Sequence, residues 1–514
     1  MGGPLKTGFV IHTQYVGSRA RQCAALDLVS LRFAGNADYV LPVRLPGLIA
    51  LWLVFVSLNS PGQQLHLESF DVDPQWEGFR NRLVPDPPPV TRQSFGYRRS
   101  QSAGGAGKGE IGGWIQRSTT PAWYARAIQA VTLTNRLSAS GKFAATRADG
   151  GSGVLFGWFN SQSRGWRMPN SLVMRLDGNG GNYWLFFEYG TRSWFTGGGA
   201  TFEGEYQTTK TKPFAADGTA HTWRLEYRPK GDGGEIELML DGARHVAAVP
   251  AAHVQDGALF DRFGLVNVQT TGDGMDVFFD DVEIDGERFA FDDDPNWHGN
   301  GNDIEFRDRV RRPFHDFGFG RASHTGGNTG EIGGVIWRDE QPAYYAAPTP
   351  SLTLKDELFA SGTVAFRGAG SDSGAYFGFF ESASKRNKST SDRKATPTNL
   401  LAILVEGRSE VGHYFRGGYY NSLGEGHFEN YGPTIQPDGK VHRWSLRYNP
   451  NANDEEGEIT VTFDGHTQTT RVARQHKAAG ARFDRFGFFN LQVGGHFVDL
   501  YLDDLKFSGA PGKQ

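Results

Sequence analysis

Cysteine is nearly absent from this chain. Cys23 stands alone in 514 residues, so no disulfide can close and stability has to come from core packing, with or without a metal. Long apolar runs are missing as well. The most apolar stretch, Leu48 to Leu58, is about 11 residues, against roughly 20 for a membrane span. Neither sign of charge dominates: 53 Lys and Arg face 57 Asp and Glu, a net charge of -4, which excludes a strongly basic chain and gives no reason to expect nucleic acid. Sustained helical periodicity is lacking too. What the chain does hold is glycine, 69 residues, and aromatics, 13%, in short apolar segments broken by Gly, Asn and Asp clusters. That pattern predicts strands joined by turns.

The strongest order is a long repeat. Phe260-Asp261-Arg262-Phe263-Gly264 returns as Phe483-Asp484-Arg485-Phe486-Gly487, and each copy is followed by an acidic pair, Asp280-Asp281 or Asp503-Asp504. FDVDPQW at 70–76 matches FDDDPNW at 291–297, and GEIGG at 109–113 matches 330–334. The offset is 221 residues early and 223 late. Solenoid units run only roughly 20–50 residues, so this period predicts two domains, 68–289 and 290–510. Phe289-Ala290-Phe291 joins them without a linker, so the domains are expected to abut. Residues 1–42 match neither copy and read as an unstructured or miscalled extension. Residues 43–63 carry a basic residue, a short apolar run and a small polar exit, the pattern of a signal peptide. A secreted or extracytoplasmic protein (cell surface or periplasm), monomeric and with no membrane span, is expected.

Within each copy, His221, Trp223, Leu225 and Tyr227 alternate with polar residues, and a second strand then ends at Asp241-Gly242. His442, Trp444, Leu446, Tyr448 and Asp464-Gly465 repeat this. Such alternation predicts antiparallel hairpins with one buried face. The segments DGxxHxWxLxYxP and GEIxxxxDG at 217–242 and 438–465, with a late strand ending in Asp280-Asp281-Val282 or Asp503-Asp504-Leu505, resemble the concanavalin A-like lectin/glucanase superfamily, of the LamG-like kind. The resemblance implies an all-β fold of two tandem jelly-roll β-sandwiches whose concave face commonly binds carbohydrate. It names no substrate, because one fold hosts lectins, hydrolases and lyases.

The organising strand is expected to turn Gly264, Val266 and Val268 to the core. Phe263, Asn267 and Gln269 would then face a sugar, as would Phe486, Asn490 and Gln492, with rings for stacking and amides for hydroxyls. Trp166, Trp184 and Trp194 in the middle of one copy, and Tyr414 and Tyr420 in the other, extend this carbohydrate-binding set. Glu110 and Glu331, flanked by glycines, are acid/base candidates, although a carboxylate bonding a nearby backbone explains them equally well. His221 and His442 read as core histidines or as bases, and Tyr124 and Tyr345 as lyase bases. Asp71, Asp73, Asp280 and Asp281, matched by Asp292, Asp294, Asp503 and Asp504, are candidates for a structural Ca²⁺; no other cofactor is expected. The expected function is a secreted tandem polysaccharide-binding protein. A glycoside hydrolase or polysaccharide lyase of the same fold is the alternative, and a structural or adhesive surface protein a second. The expected partner is a glycan, with no nucleic acid.

Overall fold

The structure, a computed structural model, describes residues 65–509 except 205, 207–208, 309, 311–314, 371, 385–395 and 409–411. The expected extension at 1–42 and the signal peptide at 43–63 lie outside the described residues. The chain is all-β, as the alternation predicts. Its strands form four antiparallel sheets, and the helices among the described residues are short turns such as Ala251–Asp256 and Arg474–Ala479.

The sheets pair face to face around two cores. In the N-terminal sandwich, the front sheet runs in the order Thr196–Ala200, Asn182–Gly190, Ser171–Gly178, Gly153–Phe159, Leu259–Asn267, Trp123–Thr132, His298–Asn300. The back sheet is centred on Ala220–Lys230, Leu137–Ala148, Gly274–Ile284, Glu110–Gln116 and Val90–Arg98. Phe156 of the front sheet stacks on Phe279 of the back sheet with centroids 3.9 Å apart. Trp223, Leu225 and Tyr227 are buried in the same core, where the alternation places them. The C-terminal sandwich repeats the plan, with Arg482–Asn490 in its front sheet and Phe497–Ser508 in its back sheet.

The domain boundaries differ from the expected 68–289 and 290–510. Leu65–Glu68 pairs with Phe497–Ser508, and Glu77–Phe79 pairs with Tyr344–Thr353, so the first described strands belong to the C-terminal sandwich. Phe70 and Trp76 of FDVDPQW lie in that core. Conversely, Glu287–Phe289 and His298–Asn300 pair within the N-terminal sandwich, and Phe291 and Trp297 of FDDDPNW fill its core. Trp76 stacks on Tyr345 at 6.0 Å, and Trp297 on Tyr124 at 6.1 Å. Each FDxDPxW segment therefore completes the sandwich whose last strand pairs with the strand just before it. In the N-terminal sandwich a hairpin at Asp285-Gly286 makes that connection, with Ile284 opposite Glu287. In the C-terminal sandwich Ser508 lies opposite Leu65, and no peptide joins the two strands.

The organising strand also faces the other way. Phe263 and Leu265 point into the inter-sheet core, while Val266 and Val268 join a separate cluster with Ala125, Leu155, Phe159, Met168 and Val173 on the outer side of the front sheet. Gly264 is explained by crowding. A Cβ there would come within 2.5 Å of the Tyr124 carbonyl oxygen and 2.6 Å of the Ala125 Cα, so only glycine lets the strands close.

Candidate functional site

The amides expected to meet a ligand are sealed. Asn267 is fully buried; its Oδ1 accepts from the Ala122 N–H at 2.9 Å, and its Nδ2 donates to the Ser118 and Thr120 carbonyls at 3.1 and 3.0 Å. Asn490 makes the matching bonds to Ala343 and Gln341 at 2.9 Å each. Both amides tie down the turn before the neighbouring strand. Gln269 accepts from the Gly165 N–H at 2.7 Å and Gln492 is likewise buried. Phe263 packs against Trp158 at 5.0 Å and Phe486 against Phe507 at 4.2 Å, both inside the cores. None of these six is open to a sugar. The physical reason is that both faces of the strand are apolar and both are covered, the outer one in the N-terminal copy by the 161–170 segment and in the C-terminal copy by a cluster that includes Tyr344, Tyr376 and Phe380.

The catalytic candidates hold the fold. Glu110 accepts from the Ser102 and Ala103 N–H groups at 2.9 and 2.8 Å, and Glu331 from the His324 and Thr325 N–H groups at 3.0 Å each. Each closes its loop, the backbone-bonding role weighed above. His221 Nδ1 lies 2.6 Å from Asp241 and His442 Nδ1 2.6 Å from Asp464; each pair pins an Asp-Gly turn. Tyr124 donates to Asp294 at 3.4 Å, and burial pushes the Tyr345 phenol up to about 12. These groups do not converge on one another.

The expected Ca²⁺ sets are split by the exchange of segments. Asp71 and Asp73 stand on the strand-linking segment of the C-terminal sandwich, whereas Asp280 and Asp281 are in the N-terminal one. Asp281 is held by Lys142 and Arg288 at 3.1 and 3.0 Å, Asp73 caps the Gln75 N–H at 2.8 Å, and Asp294 caps the Asn296 N–H at 2.8 Å. Asp292 lies against Gly107, Asp503 accepts from the Asp504 N–H at 2.7 Å, and among the described residues no group of three or more acidic, His or Cys side chains could hold a metal. The residues as grouped do not fit the ion.

What the outer sides of the front sheets do hold is buried charge. Asp177 is paired with Arg117 and, at 2.5 Å, with Arg175; Arg175 reaches Glu188 at 3.0 Å, with Arg167 3.6 Å from the same carboxylate. Arg175 lies over the Phe186 ring at 4.0 Å and the Trp166 ring at 5.4 Å. Burial, with Arg175 beside it, pulls the Arg117 guanidinium down to about 10. Burial opposes ionisation of Glu188, but Arg175 and Arg167 outweigh it and hold its carboxyl below the ordinary range. In the C-terminal sandwich Arg338 and Arg416 flank Glu406, with Arg338 3.7 Å from it and also 2.5 Å from the exposed Asp372.

Strand register makes the two trios equivalent. Asp177 and Glu406 occupy one position, as do Arg117 and Arg338. The second arginine does not: Arg175 pairs across from Phe186, whereas Leu404 pairs across from Arg416. The arginine has moved to the neighbouring strand, yet an arginine–carboxylate–arginine trio persists. Around it, Trp184 packs on Phe202 at 4.7 Å, Tyr414 on Tyr431 at 5.9 Å and Tyr420 on Phe428 at 5.5 Å. Trp166, Trp184, Tyr414 and Tyr420 thus share this side with the trios, while Trp194 lies in the following loop against Gly165. The arginines were missed in the sequence. Their signal was the alternation of SLVMRLDG, which puts Arg175 and Asp177 opposite Leu172, Met174 and Leu176.

No protein-family model matches the chain, and no curated protein does either. Among solved structures, the chain is similar to domains LG4-5 of the mouse laminin α1 chain, at 13% identity and a TM-score of 0.23, over 78% of this chain and 95% of that one. It is similar to a botulinum neurotoxin type C structure, from work describing cell entry as dependent on interaction with two ganglioside molecules, at 9% identity, TM-score 0.20, over 80% and 96%. It is also similar to the botulinum neurotoxin serotype C1 binding domain, at 6% identity, TM-score 0.17, over 82% and 94%. At such scores these are likenesses only and decide nothing about this chain's ligand.

Proposed function

We propose that the protein binds carbohydrate on the outer side of each front sheet and acts outside the cytoplasm on a polysaccharide. The observation that carries the proposal is the trio kept in both sandwiches although one of its arginines changes strand. Taking an ion out of water costs several kcal/mol, and apolar side chains of similar volume commonly pack at least as stably. A charged trio rebuilt from a different strand therefore answers a demand other than stability. In the N-terminal sandwich Arg117, Arg167 and Arg175 gather on Asp177 and Glu188, a cluster of guanidinium donors suited to a carboxylate or hydroxyl of a saccharide. Buried Nε atoms of Arg117, Arg338 and Arg416 have no hydrogen-bond partner among the described residues. The neighbouring rings supply apolar surface for a sugar's C–H face. Two sites on one chain add avidity where the spacing suits the polymer.

Glycan-array binding of the full chain tests this against Arg175→Leu, Arg416→Leu and the double variant. Leucine already stands at the Arg175 position of the other sandwich, as Leu404, and each substitution leaves its remaining charges paired. Loss of one charge-assisted contact is worth about 1.5–3 kcal/mol, so each variant should weaken its own site by roughly 10- to 100-fold with melting little changed. Undiminished binding in the double variant, or no glycan bound by the parent chain, overturns the proposal.

A further inference from the structure

The outer side of the N-terminal back sheet carries a groove of about 660 Å³, separate from the arginine trios. That volume is in the range of small-ligand sites. Trp114, Phe278 and Asp276 form part of its lining on two adjacent strands, and Arg92, Arg98 and Arg147 stand around them. Arg147 lies over the Trp114 ring at 4.6 Å and is held there by Asp149 through bonds of 2.9 and 2.8 Å. Arg98 is fixed by the Ser94 and Gly112 carbonyls at 2.6 and 3.2 Å. Ser100 also lines the groove, and its buried hydroxyl has no hydrogen-bond partner among the described residues. Three guanidinium groups thus line the groove beside Asp276; Asp149 pairs with Arg147, which leaves Arg92 and Arg98 to face a ligand. Burial raises the Asp276 pKa, and Arg147 and Arg98 work against that rise.

The C-terminal sandwich shows that the scaffold does not need these residues. Register puts Gly320, Val335 and Gly368 where Arg98, Trp114 and Arg147 stand, while Asp499 keeps the place of Asp276. The cores beneath are alike; the divergence lies on the outer surface, where a shared fold acquires its particular ligand. We infer that this groove is a second binding site, confined to the N-terminal sandwich, for an anionic saccharide unit bearing a carboxylate or a sulfate ester. The acidic group meets Arg92 and Arg98, and the ring's apolar face lies against the half-buried Trp114 and Phe278. Guanidinium suits either anion because it offers paired donors in a fixed plane.

Titration calorimetry of the full chain with oligogalacturonide, sulfated dextran oligosaccharide and neutral dextran tests the assignment and identifies the acid. One charged saccharide should bind about tenfold or more tightly than dextran, and added salt should weaken it. Arg92→Ala combined with Arg147→Gln should remove that preference, as should Trp114→Leu alone, without a change in melting temperature, because these side chains lie outside the core. Arg175→Leu, which disables the front-sheet site, should leave the groove intact. Equal binding of charged and neutral saccharides overturns the groove. So does a preference that survives in the groove variants, and if that preference is lost in Arg175→Leu the front-sheet reading stands alone.

Discussion

Trp76 is early in the sequence, yet its indole belongs to the C-terminal core, where it meets Phe70 at 5.2 Å, Phe507 at 5.8 Å and Tyr345 at 6.0 Å. Replacing it with alanine removes a side chain that is 8% exposed. Large-to-small changes of this kind cost about 3–5 kcal/mol, partly as lost transfer energy and partly as the cavity left behind. The three ring contacts add to that figure, each aromatic pair being worth about 0.5–1.5 kcal/mol beyond its area. The loss should fall on the sandwich that holds the indole, not on the one that follows it in the chain. Hydrogen exchange read by mass spectrometry separates the two. In Trp76→Ala, amides of Gly374–Phe380 and Arg482–Asn490 should exchange faster by a factor of about 100 or more, while those of Gly153–Phe159 and Leu259–Asn267 keep their protection. Trp297→Ala should give the mirror image. If Trp76→Ala exposed the N-terminal strands as much as the C-terminal ones, the assignment of the first strands to the C-terminal sandwich would be wrong.

Two further outcomes follow from the same structure. A permuted chain carrying residues 61–84 after residue 509, joined through an Asp-Gly turn like that at 285–286, should fold and melt within about 5 °C of the parent chain, since Ser508 already lies opposite Leu65; failure to fold would refute the strand exchange. Burial, reinforced by neighbouring carboxylates, raises Asp280 and Asp503 to about 6 from an ordinary 3.8. The folded state then holds more protons than the unfolded state between those values, so these residues favour folding at low pH and that advantage is lost as pH rises through about 6. Asp280→Asn should stabilise by up to about 3 kcal/mol at pH 8 and by nothing near pH 3 in denaturant titrations; an equal effect at both would refute the assignment.

Much of the architecture was legible in the residues. Alternation at His221–Tyr227 and the Asp-Gly turns at 241 and 464 specify hairpins locally, because side chains two apart share a face and only certain residues tolerate the turn. The length of the repeat is equally plain. Its phase is not: a sequence written twice fits equally well with the fold unit starting at Phe70 or ending after Trp297, since either cut repeats. Long-range pairing decides, and it sets Leu65–Glu68 against Phe497–Ser508.

The organising strand poses the same question on a smaller scale. Its alternation defines two faces, Phe263 with Leu265 and Val266 with Val268, but both are apolar, so nothing local tells which one meets the opposing sheet. Covering of the outer side by the 161–170 segment buries both, and it also takes Asn267 and Gln269 out of reach of any ligand. The arginine trios depend on tertiary structure altogether: Arg117 and Asp177 are far apart in the chain, and Arg175 and Arg416 come from different strands. The amino-acid order by itself determined the strands, the turns and the period. Which end of each repeat closes which sandwich, which face of each strand lies inside and which charges meet were decided only by contacts between distant segments, where burial and pairing act on the folded chain as a whole.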